Sequence, residues 1–274
     1  MKIACTGLKP GRIATALIDR GVRFIEADVT DATAFRKAIK SVDPDVIIHT
    51  AAMTDVEECE AYPIQAKRVN VDGVENIVSW WDGKLIYLST DHVFNGQKWF
   101  PGGYSERHKP NPVNIYGLTK LAGEMIAVNG HPKAKIIRTS KVFSYRDLRP
   151  MLQVLSGELY VPFAFTGLIL RSFLYVDHFV NGLLNAVRMF DQLPPILNIS
   201  GTSIISHAQF WFLVCNIFGF DEQNVTTRKQ KLKDAAPRPF RCGLDVREAS
   251  NLGIPLYSAA DGLKEVKELW KKIG

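Results

Sequence analysis

Short apolar runs alternate with stretches of helical period along the first half of the chain. Lys2–Thr6 is a compact apolar run leading into glycines, Ile13–Ile18 has the spacing of a helix, and Val22–Ala27 reads as a strand again. Asp31–Ser41 predicts a helix that Asp31 is placed to cap, and Asp45–Ala51 a strongly apolar strand introduced by Pro44. Residues 62–80 are helical by period, Lys84–Ser89 is a clear strand, Asn114–Asn129 a helix and Lys135–Thr139 a further strand. Strands joined through helices need right-handed crossovers, so the pattern predicts a doubly wound α/β fold with a mostly parallel sheet.

Beyond about residue 140 the rhythm loosens. Leu168–Val176 fits a strand, Phe179–Met189 and Ala208–Phe218 fit helices, and Leu263–Ile273 a closing amphipathic helix. Pro194-Pro195, Gly201 and Pro237–Pro239 punctuate the region, and there are no repeats or low-complexity linkers. We expect one α/β domain over residues 1–145 and a smaller lobe built mainly from residues 146–274, some segments of which return to the first domain.

Composition narrows the class. With 274 residues, 46% of them hydrophobic and 23% charged, the chain can bury a full core, which argues against disorder. No apolar run approaches the roughly 20 residues of a membrane helix, and MKIACTG reads as a strand, not a secretory signal. A cytoplasmic protein with no membrane partner is expected. Cys5, Cys59, Cys215 and Cys242 are scattered, without a CxxC pair or a histidine at ligand spacing, which predicts reduced structural thiols and no metal site. The net charge of +6 favours an anionic partner such as a dinucleotide, a nucleotide-sugar or RNA. Much of the excess is dispersed late in the chain, at Arg228, Lys229, Lys231, Lys233, Lys271 and Lys272. A solvated surface explains that pattern at least as well as a nucleic-acid face, so nucleic acid is the disfavoured partner.

The first strand runs into Thr6-Gly7-Leu8-Lys9-Pro10-Gly11-Arg12-Ile13-Ala14 and then a helix. Glycines in such a turn let the backbone approach a pyrophosphate at the helix N-terminus. The spacing is imperfect against G-x-G-x-x-G, but Lys9 and Arg12 supply cations. Glu26 and Asp28 are candidates for the adenosine ribose, and the choice between NADH and NADPH stays open.

Tyr116 and Lys120 stand four residues apart, on one face of a helix. A phenol with a pKa near 10 is a poor acid–base catalyst at neutral pH, and a nearby ammonium is expected to lower it. A bare Y-x-x-x-K arises by chance on solvated helices, so its surroundings decide. Thr90 and Asp91 end one strand, Ala51, Ala52, Met53 and Thr54 another, and Thr139 and Ser140 a third. Ligands of open α/β sheets bind at that edge, and the convergence points to a nicotinamide-dependent oxidoreductase. His49, inside an apolar strand, reads as a core histidine; for His92, substrate contact and plain pocket wall are even; Phe210–Val214 reads as core.

At PDVIIHTAAMTDVEECE (44–60), RVNVDGVENI (68–77), YLSTDHVFNG (87–96), YSERHKPNPVNIYGLTKLAGE (104–124), IIRTS (136–140) and APRPFRCGLD (236–245) the chain resembles the extended short-chain dehydrogenase/reductase family, in its dTDP-4-dehydrorhamnose reductase branch. The resemblance implies a Rossmann-type domain with a C-terminal substrate-binding lobe. It implies NADPH- or NADH-dependent reduction of the 4-keto group of a nucleotide-linked 6-deoxyhexose, as in dTDP-rhamnose formation. Thr90, Tyr116 and Lys120 would be the catalytic group. Gly7, Gly11, Arg12, Ile13, Asp28, Val29, Ala51, Ala52 and Thr54, with Tyr116 and Lys120, would line the cofactor. Thr90, Asp91 and His92 would face the sugar, Arg238 the nucleotide, with Asn70 and Glu106 in support. A homodimer is compatible with this. The chain departs from the branch in its longer glycine turn, in His92 where the branch has tyrosine, and in Lys141 where it has tryptophan. Two alternatives remain: an epimerase or dehydratase of the same family, and a dinucleotide-binding regulatory subunit without turnover.

Overall fold

The computed structural model describes residues 1–98, 100–157, 164–166, 169–228 and 235–273; Leu168, Lys229, Lys231 and Lys233 lie outside the described residues. The first half contains β1 (Ile3–Gly7), α1 (Arg12–Ile18), β2 (Arg23–Glu26), α2 (Ala32–Val42), β3 (Val46–His49), α3 (Val56–Ala61), α4 (Pro63–Lys67), α5 (Gly73–Val78), β4 (Lys84–Thr90), α6 (Ile115–Gly130) and β5 (Ala134–Thr139). The second half contains β6 (Lys141–Phe143), α7 (Tyr145–Leu155), β7 (Ala164–Thr166), β8 (Leu170–Tyr175), α8 (Val176–Arg188), β9 (Ile196–Asn198), β10 (Ile204–Ser206), α9 (His207–Phe218), β11 (Thr226–Arg228), α10 (Arg247–Asn251) and α11 (Ala259–Ile273).

Six parallel strands form the main sheet in the order β2-β1-β3-β4-β5-β9. Successive strand residues feed opposite faces, which is why these strands are apolar throughout. Cys5, Ile48, Ile86 and Ile137 pack with Leu17 of α1 and Leu183 of α8. Ala4, Ile47, Leu85 and Ile136 pack with Phe35 of α2, Ile77 of α5 and Ala127 of α6. The doubly wound fold is as the pattern predicts. Asp31 caps α2 by accepting from the Thr33 and Ala34 amides.

Differences lie where local signals are short. The helical stretch at 62–80 is α4 and α5 joined by a π-helical turn, Arg68–Asp72, and α3 precedes it. Helix α7 lies outside the predicted elements although Leu148, Met151, Leu152 and Leu155 are buried at helical spacing and a capping box joins Ser144 and Asp147 at its start; Pro150 inside it obscures the pattern. Strand β9, only three residues long, returns from the C-terminal half to pair with β5. Around the smaller sheet, β8 pairs in parallel with β6 and antiparallel with β10, while β7 pairs with β11.

Helix α6 lies unusually close to β4 and the loop after it. A Cβ at Gly117 would stand 2.1 Å from the His92 carbonyl oxygen, and one at Gly123 would stand 2.3 Å from the Tyr87 hydroxyl. Glycine is therefore required for approach, not for backbone conformation. Gly123→Ala is expected to push α6 off the sheet and cost about 1–3 kcal/mol, measured as a fall in the urea midpoint with an unchanged slope.

Candidate active site

Tyr116 and Lys120 lie on α6, whose start is fixed twice. The Gly117 amide donates to Asn114 Oδ1 at 2.7 Å, and the Ile115 amide donates to Glu60 Oε1 of α3 at 2.7 Å. At the end of β4 the Thr90 hydroxyl lies near enough to the Tyr116 phenol to favour its ionised form, and it donates to Asp91 Oδ1 at 3.2 Å. The His92 ring meets the Tyr116 ring edge-on, centroids 5.4 Å apart. Lys120 is 3% exposed, with Nζ 4.0 Å from the Tyr87 ring centroid. Thr90, Tyr116 and Lys120 are thus brought together at the carboxyl edge of the sheet.

The expected lowering of the phenol is reversed. Burial pushes the Tyr116 phenol up, with Asp91 and Cys59 adding to the rise, and the Thr90 hydroxyl only partly opposes this. Burial also pushes the Lys120 ammonium down to about 7, opposed in part by Glu124. Lys120 is buried and Tyr116 half-buried, and for each the loss of water opposes the charged form. His49 donates or accepts at Thr6 Oγ1, 2.8 Å away, and burial drives it down to about 3, so it is a neutral core histidine.

On the side expected to take the sugar, Asp91 is buried and engaged. Ser140 Oγ donates to its carboxylate at 2.5 Å, and Arg171 of β8 pairs with it at 3.2 Å. His92 Nδ1 sits 3.0 Å from Asn114 Nδ2, which also donates to the Pro237 carbonyl. Burial takes His92 down to about 4, so its ring is neutral. Arg238 forms a two-pronged ion pair with Glu57 of α3. Lys141 is an exposed residue near Arg12, Asp147, Arg171 and Asp91; loss of water, then the Arg12 charge, pushes its ammonium down, with Asp147 opposing. Arg171, a charge within an apolar run, and His207, whose ring stands 5.2 Å from that of Phe173, join this side although no local pattern gives either a role.

The cofactor candidates also collect at this edge. A Cβ at Gly11 would meet nothing within 4 Å, and α1 opens with no capping side chain and no acid in its first turn. Gly7 is closely backed by Phe24. Arg12 is already engaged, donating to the Val142 carbonyl and pairing with Asp147 at 2.7 Å. Ile13, Ala51 and Ala52 are half-buried, Val29 is buried and Thr54 is exposed. The Asp28 carboxyl is held low by the Thr30 amide and hydroxyl, with the Arg68 charge nearby. Asn70 clamps the β3 edge, accepting from the Met53 amide at 2.8 Å while donating to the Met53 carbonyl and to Thr119. Glu106 accepts from the Asn198 amide of β9 at 2.8 Å.

A parallel α/β sheet with a threonine, a tyrosine and a lysine converging at its carboxyl edge defines a Rossmann-type protein with a ligand site at that edge. The chain belongs to the RmlD substrate binding domain family, whose profile matches residues 5–157. It is 36% identical over 155 residues to a dTDP-4-dehydrorhamnose reductase of Sinorhizobium fredii, covering 53% of this chain and 51% of that protein. It is 27% identical over 245 residues to methionine adenosyltransferase 2 subunit beta of Xenopus tropicalis, covering 85% of this chain and 72% of the relative. The aligned part thus spans about half of the reductase. The fold superposes with TM-score 0.87 on dTDP-4-dehydrorhamnose reductase of Bacillus anthracis in complex with NADP, at 24% identity and covering 97% and 98% of the two chains.

The depressed Lys120 ammonium has a consequence for stability. Its folded value, about 7, lies below the ordinary 10.5, so folding disfavours the charged form. That penalty is complete below about 7 and fades as pH rises toward 10.5, where the unfolded chain also loses the proton. Lys120→Met is expected to raise the melting temperature by several degrees near neutral pH, with the gain shrinking in alkaline buffer. Paired thermal melts across that range measure it; a gain independent of pH locates the cost elsewhere.

Proposed function

We propose that the protein uses NADPH to reduce the 4-keto group of a nucleotide-linked sugar, with a 6-deoxyhexose as first candidate. The observation that carries this is Thr90 beside Tyr116, with Lys120 one helical turn away, at the edge where the glycine turn opens. The kinship with dTDP-4-dehydrorhamnose reductases supports the same reaction. In this reading residues 1–145 hold the dinucleotide and residues 146–274 mainly the sugar.

The residues fit a dinucleotide. Open space at Gly11 and the uncapped, acid-free start of α1 suit a pyrophosphate. Asp28 suits a ribose hydroxyl, and Arg68 beside it suits a 2′-phosphate, which favours NADPH over NADH. The NADP in the Bacillus anthracis structure supports that choice. The Thr139 hydroxyl, in register with Thr90, is buried without a partner and offers a further hydrogen bond to a ligand.

When bound, the reduced nicotinamide supplies the hydride. Tyr116 gives its phenolic proton to the carbonyl oxygen as that oxygen gains charge. A phenol kept protonated by burial is in the right state for this step. Thr90 hydrogen-bonds the same oxygen from its place beside Tyr116 at the end of β4. Lys120 holds the nicotinamide ribose and provides positive charge beneath the phenol. Asp91, His92 and Arg238 border the sugar and nucleotide; Arg238 exchanges Glu57 for an anionic oxygen of the ligand.

A spectrophotometric assay of NADPH consumption with dTDP-4-keto-6-deoxyhexose tests the reading. Tyr116→Phe is expected to lower kcat by roughly 10²-fold or more, with NADPH affinity little changed. An undiminished rate refutes the assignment. The likeness to the methionine adenosyltransferase subunit over most of the chain favours a second reading, a regulatory subunit. Recovery of a stoichiometric partner enzyme, with no NADPH consumption by the wild-type chain, selects it.

A cytoplasmic location suits the four free, buried cysteines, and among the described residues no helix is long and apolar enough to cross a membrane. A homodimer through α4 and α6 is part of the proposal. Ile64 (78% exposed), Leu118 (53%) and Met125 (58%) leave an apolar surface on these packed helices. Sedimentation at micromolar concentration is expected to give a dimer that Met125→Glu converts to monomer; a monomeric wild type removes this part.

A further inference from the structure

Lys120 carries its charge in a place where the obvious counter-ion is already occupied. Glu124 stands one turn further along the same face of α6, but its carboxylate accepts from three donors: Ser89 Oγ at 2.5 Å, Arg138 Nε at 2.8 Å and Arg138 Nη2 at 2.6 Å. Among the described residues no carboxylate lies within 4.0 Å of the Lys120 ammonium. What lies against it is the face of Tyr87, 4.0 Å from Nζ to the ring centroid. The negative face of an aromatic ring attracts a cation most strongly where water is excluded, and Tyr87 is fully buried.

Tyr87 also holds the backbone of the same residue. Its hydroxyl donates to the Lys120 carbonyl at 3.3 Å. Gly123 permits that contact, since a Cβ there would collide with the hydroxyl. The Tyr87 ring stacks with that of His49, centroids 6.0 Å apart and 21° between planes. His49 in turn bonds Thr6, immediately before the glycine turn. The stack therefore joins the end of β1 to the lysine. The titratable and charged groups around Lys120 are Glu124 from its own helix, Tyr87 from β4 and His49 from β3, with Tyr116 one turn back on α6 and Arg138 of β5 acting through Glu124.

We infer that Tyr87 is a positioning residue for Lys120, its ring face standing in for a carboxylate and its hydroxyl fixing the helix at the same residue. A carboxylate in that place would bind the ammonium tightly and draw it from the ligand. A ring face attracts it without a localised accepting oxygen, which leaves its N–H donors more available to a ligand than a carboxylate would. The importance of this for turnover rests on the reductase reading, but the interaction itself does not.

The test separates ring electrons from ring shape. In the full-length protein Tyr87 is replaced by Phe, then by 3,5-difluoro- and pentafluorophenylalanine, which keep a similar volume while draining the π face. The Lys120 13Cε resonance, assigned with Lys120→Arg, is titrated in each without cofactor or substrate. Phe is expected to preserve the wild-type midpoint closely. The fluorinated rings should lower it stepwise, by roughly one pH unit over the series, with kcat falling and the KM for the nucleotide-sugar unchanged. A midpoint indifferent to fluorination overturns the proposal. A stepwise shift in a protein that consumes no NADPH supports the platform and overturns the reductase reading alone.

Discussion

The pairing of Arg138 with Glu124 is the constraint on which the carboxyl edge of the sheet depends. Both side chains are almost wholly buried, at 2% and 4% exposure, and two donors of the guanidinium meet the two carboxylate oxygens. Such a pair adds little net stability over apolar packing, because desolvation consumes most of the attraction. Its effect is on specificity. Once one partner is buried, α6 has a single position on the sheet in which neither charge is stranded, and Ser89 fixes that position further. Tyr116 and Lys120 inherit it through the helix.

Around that fixed helix, the loss of water sets the chemistry more than neighbouring charge does. For a solvated phenol and amine, attraction between phenolate and ammonium would lower the phenol's value and raise the amine's. Inside this cleft desolvation acts on both first, keeping the phenol protonated and weakening the hold of the amine on its proton. That combination suits a proton donor. Elsewhere charges are matched: Asp91 with Arg171, Arg12 with Asp147, Arg238 with Glu57. Lys141 forms no such pair among the described residues, the carboxylates near it, Asp147 and Asp91, being held by Arg12 and Arg171.

Legibility followed length and local signal. The strands β1 to β5 and the helices between them could be read because each is apolar in a pattern that burial on both faces of a parallel sheet demands. The Tyr116–Lys120 spacing and the hydroxyl of Thr90 were readable for a similar reason: a helix repeats every 3.6 residues, and a strand ends at a defined edge. Strand β9 was not, since three residues carry no period, and its place beside β5 comes from Pro194-Pro195 and the long return through α8. The π-helical turn was hidden within an unbroken helical period, although it is what points Asn70 at Met53.

The sequence alone determined the alternation of elements, the parallel sheet, the glycine turn and the spacing of the reactive side chains, because those depend on contacts between near neighbours and on periodicity. Only the tertiary structure decided which charges are spent on one another. Arg171 with Asp91, Glu57 with Arg238 and Arg138 with Glu124 are pairs separated along the chain, and no local pattern announces them. It also decided the direction of the Tyr116 and Lys120 shifts. Burial is a property of the folded whole, and it outweighs the neighbour effect that spacing by itself suggests.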